Sequence, residues 1–233
     1  MTSASRLPAL SAATARLIAT AESLPDDGWA APSLCAGWTR GHVLAHLALN
    51  AEAMVGVLSG LRDGTPTTMY VSDERRDGDI DVLAAEPPAA VLARLTAACD
   101  ALASVGAVAE GLPEGTTFER TPGGRLMSAN AVPFLRLREV EIHHADLGAG
   151  YTASDWPPAN AVAFLTFESG KYDGPGFHVV ASDEPARWTF GDAGDGAPTV
   201  SGPVGALAWW ASGRDAAAVV SSSTGTLPSM EGR

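Results

Sequence analysis

The stretch TRGHVLAHLALN, residues 39–50, dictates the fold of the first half of this chain. Its first residue, Thr39, is a favoured helix N-cap, and the apolar residues after it advance in steps of four, seven, four and three. These apolar residues are Val43, Leu47, Met54, Leu58 and Leu61. Because this spacing places them on one face of a helix of period 3.6, we predict an amphipathic helix over about residues 40–62.

Three more segments among the first 150 residues have the same helical periodicity. They cover about residues 8–24, 86–110 and 130–147. Amphipathic helices with short connections pack as an antiparallel bundle, because each apolar stripe has to be buried against another. The polar stretch 63–79 is predicted to be a loop, and the breaker-rich stretch 113–124 a loop or a short hairpin.

After Gly150 the pattern changes to short strands between short helices. The predicted elements are a helix over about 159–168, strands at 177–181, 186–190 and near 198–201, and a helix over about 203–213. The whole chain is therefore predicted to be an α+β protein, with a helical bundle in residues 1–150 and a small α/β domain in residues 151–233.

Charge and cysteine content exclude several classes of protein. The 233 residues include 27 acidic and 15 basic side chains, and the net charge of −12 repels nucleic acids and anionic lipid surfaces. The two cysteines, Cys35 and Cys99, are too few for a disulfide scaffold and are expected to be small buried residues. No apolar run of about 18 residues and no secretory signal are recognised. We therefore expect a soluble, cytoplasmic protein, monomeric by default, with no nucleic-acid or membrane partner.

Histidines and an acid on two of the predicted helices have the spacing of metal ligands. His42, His46 and Asn50 share one face of the helix over 40–62, while Glu139 and His143 are four residues apart on the helix over 130–147. A Glu and a His at this spacing point the same way and can bind one ion. A histidine from a facing helix would complete three ligands and leave a fourth position open, as in catalytic zinc sites.

The same spacing also has a simpler interpretation. A Glu–His pair four residues apart is commonly a surface pair that contributes about 0.2–0.5 kcal/mol. Glu139, however, lies between Leu135 and Ile142 on the inner side of its helix, where a polar group requires a partner. Asp146, or His144 near it, could then orient a ligand ring. The spacing alone leaves both interpretations open.

Two arginines are candidates for binding an anionic substrate. Arg76 lies in the polar stretch that also contains Tyr70 and Ser72, and Arg214 ends the last predicted helix. A guanidinium binds a carboxylate through two parallel hydrogen bonds. Either arginine could equally be a solvated surface charge.

Four motifs of the chain resemble those of the mycothiol-dependent maleylpyruvate isomerase family. Two of them, LCAGWTRGHVLAHLALN (34–50) and REVEIHHADL (138–147), are also typical of a wider superfamily of DinB-like metal-binding bundles. The other two, MYVSDERRDGDI (69–80) and WWASGR (209–214), match the isomerase family more narrowly. Together they extend over nearly the whole chain at matching intervals.

This resemblance implies a DinB-like four-helix bundle with a small C-terminal α/β domain. It places the ligands of zinc, or of another divalent metal, on His46, Glu139 and His143, and it makes His42 a residue that is not a ligand. It also places Arg76 and Arg214 beside the active cavity, with Arg214 the better candidate for binding a substrate carboxylate.

The resemblance implies an enzyme of gentisate breakdown that isomerises maleylpyruvate to fumarylpyruvate with mycothiol as thiol cofactor. In that mechanism a zinc-bound thiolate adds to the cis double bond, the resulting single bond rotates, and the thiol is eliminated. Two alternatives remain: a mycothiol S-transferase that detoxifies electrophiles, and a non-catalytic bundle that contains zinc. Asn50 and Trp38 are candidates for contacts with mycothiol, although no pattern assigns them.

Overall fold

The computed structural model describes residues 5–230 of the chain, so the outer limits of the two predicted domains, residues 1 and 233, lie outside the described residues. The chain divides into two units, Met1–Gly150 and Tyr151–Arg233. Among the described residues, the first unit contains helices and one hairpin, and the second combines helices with a small sheet. The α+β fold class is therefore confirmed.

In residues 5–150, five α-helices and one short hairpin form the first unit. They are α1 (Leu7–Ser23), α2 (Arg40–Arg62), α3 (Asp73–Ala84), α4 (Pro88–Gly111), β1 (Thr117–Glu119), β2 (Leu126–Ser128) and α5 (Val132–Asp146). Helices α1, α2, α4 and α5 form the bundle: α2 packs along α4, and α1 packs along α5. The apolar face predicted for α2 is buried, including Val43, Leu47 and Leu58.

The start of α2 confirms the predicted N-cap. The Thr39 hydroxyl accepts a hydrogen bond from the backbone N–H of His42, and the His42 ring accepts one from the backbone N–H of Thr39. Two backbone donors at the helix start are thereby satisfied. This reciprocal cap fixes where α2 begins and, with it, the direction of the side chains one turn further along.

Helix α3 was not expected, because its residues lie partly in the stretch 63–79 that was predicted to be a loop. Only Ile80 and Leu83 of this helix are buried, too few to give an apolar stripe in the sequence. Its start is stabilised by polar residues instead. The Ser72 side chain accepts a hydrogen bond from the backbone N–H of Arg75, and Asp73 is an acid in the first turn that interacts favourably with the helix dipole.

By length and composition alone, α2 and α4 could each cross a bilayer, in contrast to the expectation that no segment is apolar enough to do so. The core helix of a bundle passes the same test, so the observation is weak evidence for a membrane span. Most of the apolar window of α2 is buried inside the protein.

The second unit contains a four-stranded sheet and two α-helices that pack against each other. Its elements are α6 (Pro158–Lys171), β3 (Phe177–Ala181), β4 (Arg187–Phe190), β5 (Thr199–Gly202), α7 (Val204–Ala211) and β6 (Ser221–Ser222). The strand order is β4-β3-β5-β6, and only the β3–β5 pair is parallel. Phe177 and Phe190, directly opposite each other on β3 and β4, stack with ring centroids 4.9 Å apart and help to form the core.

Candidate metal centre

Three side chains from two helices of the first unit converge at one point. His46 comes from α2, while Glu139 and His143 come from successive turns of α5. Oε2 of Glu139 lies 2.9 Å from Nε2 of His46 and 3.6 Å from Nε2 of His143. One donor atom from each residue lies within 4.8 Å of the other two. The structure thus brings together the three residues predicted as ligands.

The cluster is placed at the edge of the core, within reach of solvent. The His46 side chain is buried, whereas those of Glu139 and His143 are 30% and 16% exposed. Two imidazole nitrogens and a carboxylate oxygen are the donors that zinc prefers, and calcium or magnesium would require more oxygen ligands. With three protein donors and one partly open side, the cluster fits a divalent metal that keeps a position for another ligand.

Asp146 orients one of the three rings. Its Oδ2 accepts a hydrogen bond of 2.8 Å from Nδ1–H of His143, and the carboxylate is buried. With the proton held on Nδ1, the lone pair of Nε2 faces Glu139. This Nδ1–H tautomer of His143 is the one that can bind a metal through Nε2. Cys35 lies next to this pair, with Sγ 4.0 Å from Nδ1 of His143, and it is partly exposed rather than buried as expected.

Burial and charge set the protonation states of the cluster. Burial lowers the pKa of His46 to about 4; the Glu139 hydrogen bond opposes this shift, and the charges of His143 and Arg76 add to it. Burial acts to raise the pKa of Glu139, but the His46 hydrogen bond and the neighbouring positive charges outweigh it, so this pKa lies below its usual range. At neutral pH the cluster therefore offers a neutral imidazole and an ionised carboxylate, which are the forms that bind metals.

Arg76 lies on the other side of His46. Its Nη2 donates a hydrogen bond of 3.2 Å to Nδ1 of His46, and its Nη1 donates to Asp77. Because a guanidinium can only donate, Nδ1 accepts, and Nε2 carries the proton that faces Glu139. For a metal to bind at Nε2, that proton would have to move to Nδ1.

The other predicted residues near the cluster have structural roles. His42 caps α2, and its Nε2 lies 3.7 Å from Asp81, so it is not part of the cluster. His144 is buried, and its Nε2 lies 2.8 Å from the Thr20 hydroxyl of α1. The suggestion that His144 orients a ligand ring is therefore wrong, because the next residue on a helix points about 100° away from its neighbour.

The remaining candidates lie at different places. The Trp38 ring centroid is 5.6 Å from that of His46, so Trp38 borders the cluster. Asn50 is buried one turn beyond His46 and is hydrogen-bonded to Tyr70. Arg214 belongs to the second unit, where its Nη1 donates to the backbone oxygen of Ser212. Its role in substrate binding stays a prediction.

Two residues near the cluster were missed as functional candidates. Tyr70 contacts Arg76 through its ring face, with Cζ of the arginine 5.7 Å from the ring centroid. Arg136 is buried one turn before Glu139 and reaches across the bundle to Asn50. A charged residue three positions before Glu139 was the available sequence signal for Arg136, since that spacing places both on the same side of α5.

Comparisons with known proteins find a matching family and similar crystal structures. The family described as "Mycothiol maleylpyruvate isomerase N-terminal domain" matches residues 10–148. Crystal structures of "the mycothiol-dependent maleylpyruvate isomerase" and of a histidine-to-alanine mutant of it superpose on the chain with a TM-score of 0.80 each. Their sequences are 28% and 27% identical to it, and each alignment covers 96% of this chain and 94% of the other. The comparison with curated proteins finds no significant match.

Proposed function

Because the chain belongs to the mycothiol maleylpyruvate isomerase family, we propose that it is an enzyme that uses mycothiol to isomerise maleylpyruvate to fumarylpyruvate. The convergence of His46, Glu139 and His143 on one point is the observation that carries this proposal. The similarity to the two isomerase structures extends over both units of the chain, which supports the same activity.

The three converging residues are proposed to hold zinc or another divalent metal. Such an ion stabilises a thiolate at neutral pH, which is the chemistry that the reaction requires of it. Glu139 supplies a negative charge that offsets part of the charge of the ion. Asp146 keeps the His143 ring in the tautomer and orientation that a ligand needs.

Positive charge beside the cluster is proposed to bind the substrate. Maleylpyruvate is a dicarboxylate, whereas the chain has a net charge of −12, so binding depends on local cations. Arg76 is within hydrogen-bond distance of His46 and is only partly exposed, which strengthens its field. Arg214 is proposed as a second carboxylate-binding group on the basis of its motif alone.

Product analysis separates this proposal from its alternatives. The metal-loaded protein is incubated with maleylpyruvate and mycothiol, and both fumarylpyruvate and the remaining free thiol are measured over time. An isomerase produces fumarylpyruvate in many-fold excess over protein while the thiol concentration stays constant. Loss of thiol in proportion to substrate would instead indicate an S-transferase, and tight metal binding without turnover would indicate a non-catalytic zinc-containing bundle.

A further inference from the structure

A chain of buried hydrogen bonds leads from the core of the bundle to Tyr70. Nη1 of Arg136 lies 2.6 Å from Oδ1 of Asn50, and Nδ2 of Asn50 lies 3.3 Å from the phenolic oxygen of Tyr70. Arg136 and Asn50 are both buried, whereas Tyr70 is partly exposed. These three residues, on α5, on α2 and in the segment before α3, form what we call the Tyr70 relay.

The chemistry of Arg136 fixes the direction of every hydrogen bond in the relay. A guanidinium has five N–H donors and no acceptor, so it has to face the oxygen of the Asn50 amide. The amide nitrogen then faces Tyr70 and donates to the phenolic oxygen. The Tyr70 oxygen is thereby an acceptor within the relay, and its own proton is directed elsewhere. Within residues 5–230, no acceptor is hydrogen-bonded to that proton.

Tyr70 contacts a residue that is itself hydrogen-bonded to the candidate metal centre. Arg76 contacts both the Tyr70 ring and Nδ1 of His46, and the charge of Glu139 acts on the phenol. The backbone of Tyr70 is held as well, since its N–H donates to the Arg120 oxygen and its own oxygen accepts from Thr68. The phenol is therefore held in place beside the cluster.

The phenol keeps its proton at physiological pH. Burial raises the pKa of Tyr70 above its usual value, and the negative charge of Glu139 acts in the same direction. The Asn50 hydrogen bond and the charge of Arg76 oppose the shift without reversing it.

We propose that Tyr70 donates a hydrogen bond to the substrate carbonyl oxygen conjugated with the isomerising double bond, and that Asn50 and Arg136 position it for this role. The proposal rests on the proposed function. The mycothiol thiolate forms a C–S bond to one carbon of the double bond, and the π electrons move onto that oxygen to give an enolate. After rotation the electrons return, the double bond re-forms and the C–S bond breaks with the thiolate as leaving group. A donor aimed at this oxygen stabilises the charge as it develops, and Tyr70 keeps its proton throughout.

The first test replaces only the phenolic oxygen. We expect Tyr70→Phe to lower kcat for maleylpyruvate isomerisation by about 10²-fold, because one lost donor to a developing oxyanion has an effect of this order. In the absence of thiol, where no turnover occurs, we expect its Kd for maleylpyruvate, measured by calorimetry, to rise several-fold. Tyr172→Phe removes the same atom from the aromatic cluster of the second unit and is the matched control, with kcat and Kd unchanged.

The second test reverses the relay while Tyr70 stays intact. In Asn50→Asp the carboxylate pairs with Arg136 through one oxygen, and its other oxygen accepts the proton of Tyr70. We expect a loss of kcat comparable to that of Tyr70→Phe, with metal content unchanged. The double variant should lose no more than either single variant, because both changes remove the same hydrogen bond. A purely structural role would instead give additive losses accompanied by a lower Tm.

The outcomes separate this proposal from the proposed function. If the wild-type protein binds maleylpyruvate but does not isomerise it, the proposed function fails, and a weaker Kd for Tyr70→Phe still supports the role of Tyr70 in binding. If kcat and Kd of Tyr70→Phe both stay within twofold of wild type, the role of Tyr70 is overturned while the isomerase activity stands. If the wild-type protein does not bind maleylpyruvate at all, both are overturned.

Discussion

Nη2 of Arg76 is hydrogen-bonded to Nδ1 of His46, and this contact opposes metal binding. A neutral imidazole that binds a metal through Nε2 carries its proton on Nδ1, and that proton would face the Arg76 donor. Metal binding at Nε2 would therefore require Arg76 to leave His46, and its guanidinium would then be available to an anionic substrate.

Replacement of Arg76 should consequently strengthen metal binding while it weakens catalysis. We expect Arg76→Ala to bind zinc on the order of threefold to tenfold more tightly, since a competing donor and a nearby positive charge are both removed. The measurement is a zinc competition titration with a chromophoric chelator. Arg75→Ala is the control, because Arg75 is exposed and pairs with Asp79 instead. Weaker zinc binding by Arg76→Ala would contradict this description of the contact.

The hydrogen bond from His143 to Asp146 should strongly increase the affinity of the cluster for a metal. Asp146→Asn keeps the shape of the side chain but removes its charge, so it no longer enforces the Nδ1–H tautomer of His143. We expect a loss of about 10- to 100-fold in zinc affinity, measured by the same titration. Asp100→Asn, at an exposed position of α4, should have no effect. Equal affinities for the two variants would mean that Asp146 does not support a ligand.

Acidification should destabilise the metal-free protein at pH values well above those at which carboxylates usually titrate. The pKa of His46 is about 4 in the folded state and 6.5 ordinarily, so the unfolded chain takes up the proton first as the pH falls. The stability due to the neutral ring is complete above pH 6.5 and is lost progressively toward pH 4. The titration of His46 should therefore lower the free energy of unfolding by about 2 kcal/mol between pH 7 and pH 5.

Urea denaturation of chelator-treated protein at these two pH values measures the loss. In His46→Gln the unfolding free energy should decrease by about 2 kcal/mol less between pH 7 and pH 5, because glutamine does not titrate. Identical pH dependence of wild type and variant would show that His46 titrates normally in the folded protein.

Replacement of two helical glycines of the second unit by alanine should change the stability of the protein in opposite directions. A Cβ at Gly205 of α7 would lie 2.2 Å from the backbone oxygen of Ala153, so Gly205→Ala has to shift the backbone and should cost more than about 2 kcal/mol. A Cβ at Gly170 of α6 meets nothing within 4 Å, and Gly170→Ala should stabilise by about 0.5 kcal/mol. Thermal unfolding of both variants checks the difference in sign.

The long helices and the shared face of Glu139 and His143 could be predicted because both rest on local periodicity. The apolar steps after Thr39 gave α2 at the bounds the structure has, and the spacing of Glu139 and His143 placed two candidate ligands on one face. The family resemblance supplied the choice of His46 over His42. The structure supplies the physical reason: His42 is occupied by the cap of α2, one turn before the cluster.

The rest could not be predicted because it depends on contacts between distant segments. Helix α3 buries too few apolar residues to show a periodic pattern. The four-residue spacing from Glu139 singles out His143, but only the fold shows that His144 faces Thr20 of α1 while His143 faces α2. The Tyr70 relay joins residues that are 20 and 86 positions apart, so only the folded bundle reveals it.

The claim that His46, Glu139 and His143 hold a metal needed for thiol-dependent isomerisation is tested most directly by following maleylpyruvate absorbance. The assay uses zinc-loaded wild-type protein with and without mycothiol, the same protein after chelation and zinc restoration, and His46→Ala. We predict conversion to fumarylpyruvate only when thiol, zinc and the intact cluster are all present, with activity regained on zinc restoration. Undiminished conversion by the chelated protein or by His46→Ala would contradict the claim.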